Sequence, residues 1–272
     1  MVRDPQQQLP RGARVGAHIG CTVTAAVWLQ AASSMASHRA TDAGGSTKPR
    51  HQRLLWANDA RHYHGFVHEP PISVDAAQTP VTEVAGLGVT TFVFMVARGD
   101  GLFYPSRVGH RWPNGTVEGT QPPYDLAAYY RLASNLDSLA ERGLDPLELL
   151  IDAAHKNSME FIASLRVPAY LGLDSGTVKP QPEDGPMADP LVRDVQLAVL
   201  TELALDYDTD GIELDLSCGP GGSSPVLRAQ DAAEFGPVIT DWVRSVAAVV
   251  HGRPTRGLVG VRVYPTPAMN GQ

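Results

Sequence analysis

From Leu54 onward the chain alternates short apolar runs with amphipathic segments of helical period. That alternation constrains the fold more than any other feature. Residues 54–57, 89–96, 159–167, 211–216 and 257–264 read as strands, and 81–87, 124–142, 147–155, 191–207 and 229–251 as helices. Strands that are apolar along their length and separated by helices specify a parallel sheet covered by helices. The long Gly/Pro-rich loops, 97–123 and 168–190, follow strands, whereas the loops after helices are short. Sites of parallel α/β folds lie at the carboxyl ends of the strands, so function is expected there. About five strand–helix units are evident, where a closed barrel has eight. The expected fold class is therefore α/β, of (β/α)8 TIM-barrel type and incomplete, with an open doubly wound sheet as the alternative. No glycine-rich nucleotide loop follows any strand, which disfavours a dinucleotide-binding sheet.

Residues 1–53 differ in character. Arg3, Arg11 and Arg14 precede a mildly apolar run, 15–32, and then Ser34-Met35-Ala36. That order is expected of a secretory leader, with a disordered leader as the alternative. The run is too polar for a transmembrane helix. Residues 42–53, with Gly44-Gly45-Ser46 followed by Lys48, Arg50 and Arg53, read as a linker. The division expected is a leader and linker at 1–53 and a C-terminally truncated barrel domain at 54–272. Export to the periplasm or beyond follows if the leader is a signal, and a cytoplasmic protein otherwise. A net charge of −7 argues against nucleic acid or an anionic membrane as partner. Two cysteines, Cys21 and Cys218, are too few for a disulfide scaffold or a thiolate metal cage, and no cofactor is expected. Asn114-Gly115-Thr116 fits a glycosylation sequon. Open strand edges lead to an expectation of self-association.

The chemistry concentrates in Asp210-Gly211-Ile212-Glu213-Leu214-Asp215-Leu216. Side chains of a strand alternate between faces, so Glu213 and Asp215 share one face and Ile212, Leu214 and Leu216 the other. Acids on a strand made for burial are costly unless their charge is needed. The same parity pairs Ser164 with Arg166 and Arg262 with Tyr264, while Asn58, Asp59, Arg98 and Asp100 follow the first two strands. Two carboxylates beside arginines suit attack on a glycosidic bond, one acid ionised and the other kept protonated by burial or like charge. Glu213 and Asp215 are the candidate catalytic acids, and Asp59, Asp100, Arg166, Arg262 and Tyr264 the candidate substrate contacts. Residues i and i+2 on a strand lie roughly 6.6 Å apart, which leaves the carboxylate separation open. Asp59 or Asp100 is an alternative partner acid. A structural ion-pair network among Arg166, Glu213, Asp215 and Arg262 is the competing explanation. His62-x-His64 after the first strand raises a metal-dependent hydrolase as a lesser alternative, but no histidines stand on the later strands. Trp56, Tyr104, Trp112 and Tyr124 are candidates for stacking on sugar rings.

Several motifs resemble glycoside-hydrolase-like TIM-barrel proteins, similar to the glycosyl-hydrolase-like family 10 group and distantly to α-amylase-type barrels. They are Asn58-Asp59, Val89-Thr90-Thr91-Phe92-Val93, Leu102-Phe103-Tyr104-Pro105-Ser106, Gly143-Leu144-Asp145-Pro146, Met159-Glu160-Phe161-Ile162, Ser164-Leu165-Arg166 and Asp210 to Asp215. The resemblance covers about residues 54–266 and implies a (β/α)8 barrel and a carbohydrate substrate. Such families commonly continue the fourth-strand motif with an aromatic or arginine and then Tyr-Pro or Phe-Pro; here Ser217-Cys218-Gly219-Pro220 stands instead. The strand also resembles that of family 18 chitinases, whose catalytic Glu would fall at Ser217. That match implies a sugar-binding barrel without turnover.

Overall fold

The structure, a computed structural model, describes residues 26–27, 53–59, 61–99, 101–117, 125–174, 185–217, 232–255 and 257–263. Its strands are β1 (Ala26–Val27), β2 (Leu55–Asn58), β3 (Thr91–Met95), β4 (Ala97–Arg98), β5 (Gly101–Leu102), β6 (Glu160–Arg166), β7 (Gly211–Asp215) and β8 (Leu258–Arg262). The α-helices are α1 (Val74–Thr82), α2 (Leu126–Ala140), α3 (Pro146–Lys156), α4 (Pro190–Leu205) and α5 (Ala232–His251).

One sheet runs in the order β1-β8-β7-β6-β3-β2. Five of its strands, β2, β3, β6, β7 and β8, are parallel and stand side by side in chain order. Each new strand is added on the same side of the last, so successive right-handed crossovers put the connecting helices on one face. A doubly wound sheet reverses direction partway; this one does not, and that alternative is excluded. The sheet is of the singly wound, barrel type and is not closed. β1 pairs antiparallel with β8 at one end, and β2 forms the other edge.

Register shows how the layers form. Phe92, Phe161 and the residues in step with them face one way, as do Ala163 with Ile212 and Leu165 with Leu214. These side chains make one core with Leu147, Leu150, Leu200, Leu203, Val246 and Val250 from the helices. The opposite face carries Ser164, Arg166, Glu213, Asp215 and Arg262.

Two helices start on the same local chemistry. Asp145 and Asp189 accept hydrogen bonds from Leu147 and Leu191 backbone N–H groups, and Pro146 and Pro190 follow them at the first helical position. The helix expected at 81–87 is displaced: α1 starts at Val74, capped by Ser73, and ends at Thr82. Turns follow, with Gly86 and Gly88 at φ of 77° and 85°. Pro80 sits inside α1 and disguises its helical period. The loop expected from residue 97 instead opens with the β4-β5 hairpin. No helix among the described residues is long and apolar enough to cross a membrane.

Candidate active site

Parallel pairing places Ser164 in step with Glu213, and Arg166 in step with Asp215 and Arg262. In-register residues of neighbouring strands face the same way. Five polar side chains thus stand on one patch at the carboxyl ends of β6, β7 and β8. Position 260, in step with Glu213, is a glycine, so β8 puts no side chain between Arg262 and Glu213.

Contacts follow this register. Arg262 Nη2 donates to Glu213 Oε1 at 2.7 Å, and Ser164 Oγ donates to the same oxygen at 2.8 Å. Arg166 Nε donates to Asp215 Oδ2 at 3.3 Å. Ser217 donates twice to Asp215 Oδ1, from its backbone N–H at 3.0 Å and its hydroxyl at 2.5 Å. Glu213 Oε2 and Arg262 Nε are buried without a hydrogen-bond partner among the described residues. Both acids are fully buried, whereas 38% of the Arg166 side chain is exposed.

Burial pushes the Glu213 carboxyl above the usual carboxylate range; Arg262 and Ser164 pull it down and the Asp215 charge pushes it further up. One member of the pair is thereby biased toward its protonated form. The other carries an arginine and two serine donors. The sequence marks Ser217 only as a departure from a motif; its role as donor to Asp215 is a matter of side-chain reach that strand parity does not show.

The other expected positions are more dispersed. Asp59 follows β2 and pairs with Arg61, Oδ2 to Nε at 3.4 Å. β2 is three strand spacings from β7, roughly 14 Å. Arg61 also donates to the Tyr129 hydroxyl at 3.0 Å, and Arg98 stacks over the Tyr129 ring at 4.8 Å. Asp100, Tyr124 and Tyr264 lie outside the described residues. The imidazole of His64 is buried, with Nε2 3.2 Å from the Ala77 carbonyl oxygen of α1, so this ring is committed to packing on α1. No group of three metal-ligating side chains occurs among the described residues. Tyr104 and Trp112 are core residues, not exposed platforms: both are buried, and the Tyr104 hydroxyl donates to Glu202 at 3.0 Å. Trp56 is 40% exposed.

The sequence matches no established protein-family profile, and no curated protein matches it. Solved structures similar to it are glycoside hydrolases. α-L-Fucosidase isoenzyme 2 from Paenibacillus thiaminolyticus is 14% identical with a TM-score of 0.46, over 78% of this chain and 33% of that one. Pullulanase from Anoxybacillus sp. LM18-11, solved with maltotriose, is 14% identical with a TM-score of 0.43, over 79% and 33%. The GH5_18 protein from Streptomyces cattleya, solved with GlcNAc, is 16% identical with a TM-score of 0.40, over 75% and 43%. The chain spans less than half the length of each. Strand order defines the fold independently of these likenesses. Fold and patch together describe an α/β protein with a singly wound parallel sheet and a buried carboxylate–arginine network at its strand ends.

Proposed function

We propose that the chain carries the catalytic strands of a glycosidase, acting on a carbohydrate substrate. Glu213 serves as general acid and base, and Asp215 as nucleophile or charge-stabilising carboxylate. Arg166, the exposed member, meets the substrate, and Arg262 orients Glu213. One observation carries this reading: Glu213 is sealed at a strand end with its carboxyl raised by burial and one oxygen unpartnered among the described residues, two residues from a second acid. A pair of acids with separated environments is what glycoside hydrolysis uses. The resemblance to the glycosyl-hydrolase-like family 10 group supports the same substrate class, with Asp59, Asp100 and Tyr264 as further proposed contacts.

The sign of the pH dependence follows. A raised carboxyl keeps its proton above the ordinary value of 4.5, so turnover falls on the alkaline side as Glu213 ionises. Glu213→Gln is expected to lower kcat by roughly 10²–10⁴-fold on unactivated glycosides and to remove that alkaline limb. Asp215→Asn is expected to abolish turnover with the circular dichroism spectrum unchanged. Full activity in both folded variants would sink the proposal.

A second reading has its own observation. Both acids are fully buried, as in a structural ion-pair lock within a sugar-binding domain that has no turnover. Saturable glycan binding by the parent chain, with no hydrolysis of any glycoside that it binds, decides for that reading.

A further inference from the structure

Helix α4 packs on the sheet through a stripe of buried residues, Val192, Val199, Leu200 and Leu203. Gln196 stands in the same stripe, one turn from Val192 and from Leu200, and is fully buried. An amide in an apolar stripe calls for an explanation, because its polar atoms are desolvated unless bonded. The nitrogen is bonded, whereas Oε1 has no partner among the described residues.

The nitrogen has two acceptors, and both lie in one turn. Gln196 Nε2 donates to the Val167 carbonyl at 2.9 Å and to the Tyr170 carbonyl. Those residues bracket the turn that leaves β6 directly after Arg166. Within it, the Ala169 and Tyr170 N–H groups both donate to the Arg166 carbonyl at 3.1 Å, and Val167 N–H donates to the Asp215 carbonyl at 3.0 Å. The Arg166 carbonyl and the peptide N–H that follows it are therefore held by three backbone hydrogen bonds. The Arg166 guanidinium is not so held: it touches Asp215 by one contact of 3.3 Å and Met95 Sδ at 3.9 Å. A single long contact on a partly exposed side chain keeps its geometry only while the backbone beneath it is fixed.

We propose that Gln196 is a positioning residue of the strand-end site: it clamps the turn after Arg166 and thereby sets the Arg166–Asp215 ion pair. The kinetic consequence rests on the glycosidase reading; the geometric one does not. Gln196→Met removes the donor at similar volume. In the full ¹⁵N-labelled chain the Arg166 Nε–H resonance, assigned by its loss in Arg166→Lys, is expected to move toward the position of a free arginine in Gln196→Met. The Arg262 Nε–H resonance is expected to stay. Where the parent turns over a glycoside, kcat falls by roughly tenfold to a hundredfold with KM within about twofold, the mark of lost orientation, not lost binding. If Gln196→Met does not fold, Gln196→Asn carries the test, because its shorter amide cannot span both carbonyls, and the same displacement of Arg166 is expected. An unmoved Arg166 resonance in the folded variant overturns the proposal. A parent without any glycosidase activity defeats the glycosidase reading and leaves the resonance test of Gln196 intact.

Discussion

Glu213 and His64 are both sealed from water and answer burial in opposite directions. For the acid, burial raises the carboxyl and favours the protonated form. For the base, burial lowers the imidazole from 6.5 to about 4 and favours the neutral ring. His64 therefore penalises acid conditions. Its folded value lies below its unfolded value, so its contribution is whole above pH 6.5 and is lost as pH falls from there toward about 4. The full loss is about 3 kcal/mol. Urea midpoints measured from pH 7.5 down to 4.5 are expected to fall steeply, and a His64→Gln variant to show a flatter profile; parallel profiles would count against it. Strand parity already places Ser164, Arg166, Glu213, Asp215 and Arg262 on one face from the sequence alone. What parity does not reveal is reach. Arg262 pairs with Glu213 and not with its in-step neighbour Asp215, a diagonal across the register in which position 260, in step with Glu213, is a glycine. The burial of His64 was equally invisible, because a His-x-His spelling says nothing of which ring turns inward.

Elements follow from their ends. Asp145-Pro146 and Asp189-Pro190 mark the starts of α3 and α4 in the sequence, and both act as caps. Asp189→Ala is expected to cost about 1 kcal/mol, read as a lowered Tm without change in helix content at 20 °C. α1 is not legible in the apolar pattern because Pro80 stands inside it where a breaker is expected, although Ser73 caps it regularly. The segment after β5 reads in sequence only as part of a long loop after a strand. Glu202, buried on α4, accepts from the Tyr104 hydroxyl, the Ser106 hydroxyl and the Arg107 N–H at 3.0, 2.5 and 2.7 Å. The Leu102-to-Ser106 motif thus fastens a loop to a helix. Losing that buried acceptor strands three donors, and Glu202→Ala is expected to cost roughly 3 kcal/mol. Proteolytic cutting within residues 103–110 should then precede global unfolding; protection equal to the parent's would refute the anchor.

Across the molecule, the five parallel strands add in chain order, and β2 forms one edge of the sheet among the described residues. Leu54, beside this edge, and Trp56, on it, are 52% and 40% exposed. An exposed apolar edge invites pairing with another chain. We expect the sedimentation coefficient to rise with protein concentration, and Trp56→Lys to suppress the rise; a constant coefficient would count against it. Arg53 braces the same side of the molecule through two 2.9 Å contacts to Glu160. The strand–helix order was legible because burial on both faces writes itself as unbroken apolar runs.

Glu213 and Asp215 share one five-residue strand, flanked on both sides by hydrogen-bonded neighbours. The placement of their Cα atoms is thus a property of the backbone, held by hydrogen-bonded strands on both sides. Substitutions in the segments beyond the strands therefore leave the relative placement of these two acids on β7 unchanged, so the acid pair is inherited as a unit with the strand.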